Sequence, residues 1–203
     1  MSNGLDTMTN CTSKAISIRS AGYDFVCRYY NTNNKSKNLT LTEAQALSNA
    51  GLYIVSIWEN GYPTSASYFS KSKGLSDGAT AYAYAKNTIG QPSSSVIYFA
   101  VDYDASTSDI SGVITDYFIG VCEAFKSAGG IYGIGAYGSG AVCEYIYKNV
   151  GQVSYTWLAQ STGWAGYRKY KDWNIKQGGS CTVVGLSCDS DTSNDNAGGF
   201  KIV

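Results

Sequence analysis

Histidine is absent from all 203 residues. That removes the Ser-His-Asp and Cys-His nucleophile systems, histidine-ligated zinc and any histidine general base. Proton transfer near neutral pH is left to carboxylates, tyrosines, lysines or cysteines. An excess of either charge is also missing, since 15 Lys and Arg stand against 15 Asp and Glu. No basic face advertises nucleic acid, and no polybasic segment advertises an anionic membrane. There is no apolar run near the roughly 20 residues a membrane span requires. The opening "MSNGLDTMTN" lacks the charged and apolar regions of a signal peptide. Such a chain is expected either to act in the cytosol or to begin after a removed leader. There is no Pro-rich linker, charge block or low-complexity tract.

Six cysteines are present, Cys11, Cys27, Cys122, Cys143, Cys181 and Cys188, and none shows C-x-x-C spacing. Zinc therefore lacks a ligand pattern. An even count permits disulfides without requiring them, and Cys181 with Cys188, which close a short loop, are the favoured pair. Eighteen tyrosines and four tryptophans make a heavy aromatic load. Rings of this kind pack cores and also stack on sugar faces.

Short apolar runs alternate with helix-like stretches. "GLDTM", "FVCRYY", "LYIVSIWEN", "VIYFAVDYD", "IYGIGAYGS", "TWLAQS", "DWNIKQ" and the region of "GLSCDSD" read as eight strands. "TSKAISIRSAG", "TLTEAQALSNAG", "SDGATAYAYAKNTIG" (capped by Ser76), "SDISGVITDYFIGVCEAFKSAGG" and "GAVCEYIYKNVG" read as helices ending at glycines. The last third is short of helix. Eight strands separated mostly by helices predict an α/β fold with a parallel sheet closed into a (β/α)8 TIM barrel, a single domain over 1–203, irregular in its last third. An open doubly wound sheet is the alternative, but no G-x-G-x-x-G follows the first strand. Parity on the fourth strand puts Ile97, Phe99 and Val101 on one face, toward the helices. Tyr98, Ala100, Asp102 and Asp104 share the other.

Barrel sites gather where strands end at their C-termini, so strand-end acids are informative. Asp6 ends the first strand, Glu59 the third, Asp102 and Asp104 the fourth, and Asp189 and Asp191 the eighth. Strands one and eight are neighbours in a closed barrel, as are three and four. Glycosidic cleavage needs one protonated and one ionised carboxyl, and crowding keeps one of them protonated. Tyr30, Trp58, Tyr137, Trp157 and Gln177 fall at or near strand ends, where they would contact sugar rings and hydroxyls. Arg28 would pair with an acid inside the barrel or contact a carboxylated sugar.

The segments "GLDT", "AGYDFVCRYY", "LTEAQALSNAGLYIVSIWE" and "GLSDGATAYAYAKNTIGQPSSSVIYFAVDYD" resemble a glycoside-hydrolase-like domain family, first defined as a domain of unknown function and related to the family 25 glycoside hydrolases, the Chalaropsis-type lysozymes. The resemblance is close over residues 3–140 and loose beyond, and the "GQP" turn before "IYFAVDYD" is its most specific part. It implies a TIM barrel, a groove at the strand C-termini and cell-wall polysaccharide as substrate. In those lysozymes an acid on strand one, an Asp-x-Glu pair on strand four and an acid on strand eight form the site. The matching positions are Asp6, Asp102 with Asp104, and Asp189. The general acid there is the glutamate, and here Asp104 is one methylene shorter. A misplacement of about 1 Å costs on the order of a hundredfold in rate. Glu59, on the adjacent strand, is the second candidate.

The expectation is thus a secreted or cell-wall-associated, monomeric hydrolase cutting β-1,4 links of peptidoglycan or a related amino-sugar polymer. Asp104 would be the acid/base, with Asp102, Asp6 and Asp189 stabilising the transition state or positioning an N-acetyl group, and Glu59 replacing or assisting Asp104. Tyr30, Arg28, Trp58, Tyr137, Trp157, Gln177 and Asp191 would bind substrate. No cofactor, metal or nucleic acid is expected. Two competing readings remain: a carbohydrate-binding barrel without efficient turnover, and an acid cluster holding a divalent cation.

Overall fold

The structure, a computed structural model, describes residues 1–194 and 197–202. Eight strands close into a barrel in chain order: β1 (Ser2–Asp6), β2 (Phe25–Tyr30), β3 (Tyr53–Trp58), β4 (Val96–Ala100), β5 (Gly133–Gly138), β6 (Val153–Leu158), β7 (Ile175–Val183) and β8 (Leu186–Ser193). The helices between them are α1 (Ala15–Ser20), α2 (Leu41–Asn49), α3 (Lys71–Ala83), the single turn α4 (Thr107–Asp109), α5 (Thr115–Ser127) and α6 (Gly140–Asn149).

Strands β1 to β7 run parallel, but β8 is antiparallel to both β7 and β1. This departs from the all-parallel sheet expected from the strand count, and the cause is local. Val183 pairs with Leu186, leaving only Val184 and Gly185 between the strands, both with positive φ. Two successive positive-φ residues make the tight turn that matches the twist of a hairpin. A two-residue connection reverses the chain, whereas a parallel return needs a dozen or more residues. Helix α3 also begins earlier than expected: Ser70, not Ser76, caps it, its hydroxyl accepting from Lys73 N at 3.1 Å. Gly74 lies inside this helix because α5 crosses against it. A Cβ there would fall 1.9 Å from Tyr117 O.

Two apolar layers follow from strand parity. Leu5, Val26, Ile54, Ile97, Phe99 and Val101 face out and pack with helix residues such as Ile18, Leu47, Phe118 and Phe125. Phe25, Cys27, Val55, Ile57, Val96, Tyr98, Ala100, Trp157 and Ile175 fill the barrel itself. The "GQP" turn is a structural hub. Gln91 Oε1 accepts from Tyr30 Oη at 2.7 Å and from Ser56 Oγ at 3.2 Å, while its Nε2 donates to Ser95 Oγ at 2.8 Å. Cys181 and Cys188 face each other across the β7–β8 hairpin with free sulfurs 3.2 Å apart. No helix among the described residues is long and apolar enough to cross a membrane.

Candidate active site at the barrel mouth

Because β8 runs backwards, its earlier residues, not its last ones, reach the mouth. The register pairs Asp6 with Asp189 at the top, and Gly4 with Asp191 one step deeper. Parity then sorts the candidates. Asp6, Glu59, Asp102 and Asp189 line one cavity of about 220 Å³, together with Tyr29, Ile57, Tyr137, Trp157, Gln160 and Gln177. A second cavity of about 270 Å³ continues from Asp6, Tyr29 and Asp189 toward Thr7, Met8, Ser180 and Ser187. The two adjoin, sharing Asp6, Tyr29 and Asp189 as lining.

Gln177 organises the β1–β8 side. Its Nε2 donates to Asp6 Oδ2 at 2.8 Å, and its Oε1 accepts from Tyr137 Oη at 2.9 Å and from Gln160 N at 3.2 Å. A one-residue bulge in β7 follows it, since Gln177 pairs with Asp191 but Ser180 pairs with Asp189. Bulges re-aim side chains in this way. Tyr29 Oη donates to Asp6 Oδ1 at 3.3 Å. Asp189 accepts from Gln160 Nε2 at 2.9 Å and from Ser180 Oγ at 2.5 Å. Burial pushes the Asp6 carboxyl up to about 6, with the Asp189 charge adding and the Gln177 and Tyr29 hydrogen bonds opposing.

On the facing side, Glu59 follows β3 and Asp102 follows β4. Lys37 Nζ lies 2.7 Å from Glu59 Oε1 and 4.6 Å from the Tyr29 ring centroid. Burial raises the Asp102 carboxyl above the usual carboxylate range, and the neighbouring Glu59 charge raises it further, while Lys37 opposes. Asp102 is held by its own backbone, N donating to Pro63 O at 2.9 Å. The mouth thus carries two acid couples, Asp6 with Asp189 and Asp102 with Glu59, and Tyr137 feels charges from both sides.

The remaining candidates lie elsewhere. Asp104 sits beyond the end of β4, exposed, its Oδ1 accepting from Ala165 N at 2.8 Å; it anchors the β6–β7 connection and does not line the cavity. Arg28, Tyr30 and Trp58 have the opposite parity from Tyr29 and Ile57, so they point away from the barrel interior. Arg28 is fully buried against Glu43 of α2, with Nε 2.8 Å from Oε1, Nη2 3.2 Å from Oε2, and Nη1 donating to Thr7 O. Tyr30 reaches Gln91, and Trp58 packs in the outer layer. Asp191 lies beneath the floor, Oδ1 accepting from Trp157 Nε1 at 3.1 Å. Its carboxyl is driven well above the usual range by burial and by Asp6. Tyr29 and Gln160 are site residues that strand-end acids do not reveal. The alternation Phe25, Cys27, Tyr29 is the signal for the first, and a polar residue two past the end of β6 is the only one for the second. No group of three or more Cys, Asp or Glu among the described residues is placed to hold a metal ion.

Comparison with known proteins agrees with this architecture. The sequence profile described as "Rv2525c-like, glycoside hydrolase-like domain" matches residues 16–192. The chain is 32% identical over 203 residues to the uncharacterized protein FadG of Bacillus subtilis (strain 168), covering 96% of this chain and 35% of FadG. It therefore spans about a third of the length of that relative. Among solved structures it is similar to the Tat-secreted protein Rv2525c of Mycobacterium tuberculosis, with TM-score 0.78, 22% identity and 98% of each chain covered. It is also similar to a muramidase from Trichobolus zukalii, with TM-score 0.62, 16% identity and 97% and 95% covered. A barrel closed by a reversed eighth strand, a mouth lined with four acids and a profile match over most of its length give one conclusion: this chain belongs to the Rv2525c-like glycoside hydrolase-like domain family.

Proposed function

We propose that this barrel is a glycoside hydrolase of muramidase type, acting on peptidoglycan or a related β-1,4-linked amino-sugar polymer in an exported or cell-wall setting. One observation carries the reading: two acid couples face one cavity, and the Asp102–Glu59 couple is electrically divided. Lys37 gives Glu59 an ion-pair partner, while burial and Glu59 favour the protonated form of Asp102. A carboxyl whose protonated form is favoured at a cavity wall is placed to act as the acid. Asp102 then protonates the leaving oxygen, and Glu59 stabilises the oxocarbenium-like charge or serves as base. Asp6, with Asp189 beside it, supports the opposite side of the sugar through Gln177 and Tyr29. Two adjoining cavities along the mouth suit a chain rather than a lone monosaccharide. The muramidase likeness supports the substrate class, and the Tat-secreted relative supports export. Incubating the protein with peptidoglycan between pH 4 and pH 8 should release new reducing ends. Their absence at every pH sinks the hydrolase reading.

The position of Asp104 favours a second reading, a barrel that binds glycan without turning it over. The acid matching the lysozyme glutamate is committed to Ala165 N and stands outside the cavity. Binding of peptidoglycan fragments that survives Asp102→Asn, without hydrolysis by the unaltered chain, would select this alternative.

A further inference from the structure

The far arm of the β7–β8 hairpin runs on past the ladder of the barrel. Strand β1 ends at Asp6, opposite Asp189, and β6 pairs with β7 only at Ile175 and Lys176. In the ladder, Cys181–Val183 and Leu186–Cys188 therefore pair only with each other. The turn at its tip adds strain, since Val184 has φ 47°, a left-handed conformation disfavoured for a β-branched residue. Thr7 Oγ1 donates to Ser187 O at 2.8 Å, and Val183, Leu186 and Cys188 pack into the outer apolar layer, so the tip is tied to the body by packing as well as by that bond. Yet the root of this arm delivers Gln177, Ser180 and Asp189 to the mouth.

Midway along the arm, Cys181 and Cys188 are direct cross-strand partners with sulfurs 3.2 Å apart. Cys181 is half-buried and Cys188 is buried. Each adjoins the pair Ser180–Asp189, so a link here would fix the step of the ladder that sets Asp189. The other four cysteines are buried, and Cys143 is engaged with backbone carbonyls, its Sγ 3.5 Å from Trp157 O.

We propose that Cys181 and Cys188 form a disulfide that staples the arm and fixes Asp189 at the mouth, with a small-molecule or protein disulfide as oxidant. The Cys181 thiolate, on the more accessible sulfur, attacks the oxidant's disulfide and expels one of its thiolates. The Cys188 thiolate then attacks Cys181 Sγ and expels the other. Two protein thiols lose two electrons and two protons, and the oxidant leaves as two thiols. The proposal does not depend on the hydrolase reading.

The test uses the whole chain, exposed to oxidised glutathione or to dithiothreitol, then denatured, alkylated and digested with trypsin. After reduction all six cysteines should be alkylated. After oxidation four should be, and the peptide 177–201 should carry neither label and be two hydrogens lighter. The oxidised protein should melt about 5 °C higher than the reduced one, as expected for closing so short a loop in a domain of this size. Cys181→Ser should abolish both the mass change and the difference in melting. Six alkylated cysteines after oxidation, or a link involving any other cysteine, overturns the proposal. A disulfide that forms without raising Tm overturns its stapling role.

Discussion

Lys37 Nζ sits 2.7 Å from Glu59 Oε1 on the rim of a cavity that also holds Asp102, and its charge opposes the rise of the Asp102 carboxyl. Lys37→Met removes that charge and leaves Glu59 unpaired, so Asp102 should keep its proton to higher pH. If Asp102 is the general acid, the alkaline limb of reducing-end release should move upward. An unmoved limb in a folded variant would show that Asp102 is not the group that titrates in catalysis.

The two aspartates of "VDYD" should part company on mutation. Asp102→Asn takes away a cavity carboxyl and should lower hydrolysis by about a hundredfold or more, the usual weight of a general acid. Asp104→Asn keeps an oxygen that accepts from Ala165 N and should cost less than about tenfold. Side-by-side kinetics on one peptidoglycan preparation decide the matter. The reverse order would return the acid role to Asp104.

Asp6 makes stability depend on pH with a definite sign. Its carboxyl titrates at about 6 in the fold against 3.8 ordinarily, so between those values the folded protein holds the extra proton. Stability should therefore fall as pH rises through that window, by about 3 kcal/mol for this group alone. Asp6→Asn should flatten the slope and be more stable than the unaltered chain at pH 7. Urea denaturation at pH 4, 5, 6 and 7 measures both. Equal slopes would mean that Asp6 titrates alike in folded and unfolded chains.

Arg28 belongs to stability. Its side chain and that of Glu43 are both 0% exposed, and Glu43 also accepts from Cys11 N at 2.7 Å, tying the loop after β1 to α2. Arg28→Met leaves a buried carboxylate without its cation and should cost about 3–5 kcal/mol. Restoring much of that loss with Glu43→Gln in the same chain would identify the stranded charge as the cause, read by denaturation midpoints.

The alternation of β4 is legible because its apolar face, Ile97, Phe99 and Val101, is unbroken and the aspartate continues the other face. On β2 the same rule offers two faces, each with a tyrosine. What decides between them is Glu43, 15 residues on in a helix, which claims Arg28 and turns Tyr30 outward. Trp58 follows the same logic: it is the last residue of β3, but its parity is that of Ile54 rather than Ile57. Chain position alone does not assign a side chain to the mouth. The reversal of β8 is not legible, because the seventh strand read as "DWNIKQ" runs on to Val183 and leaves only two residues before Leu186; the reversal exchanges the depths of Asp189 and Asp191. Gln177 is found by its place near a strand end, but the bulge after it, which sets Ser180 opposite Asp189, is one that periodicity does not register.

The reversed strand also decides at which end of the barrel the ladder starts and finishes. Strand β1 starts, and β8 finishes, at the end of the barrel opposite the mouth, where Ser2 lies across from Ser193. The chain then returns along the base, Phe200 bridging Ile54 and Ile202 N donating to Ser48 Oγ at 2.9 Å. Ser2 and Ile202 therefore lie together at the base, and the cavity of carboxylates opens at the opposite end of the barrel from both.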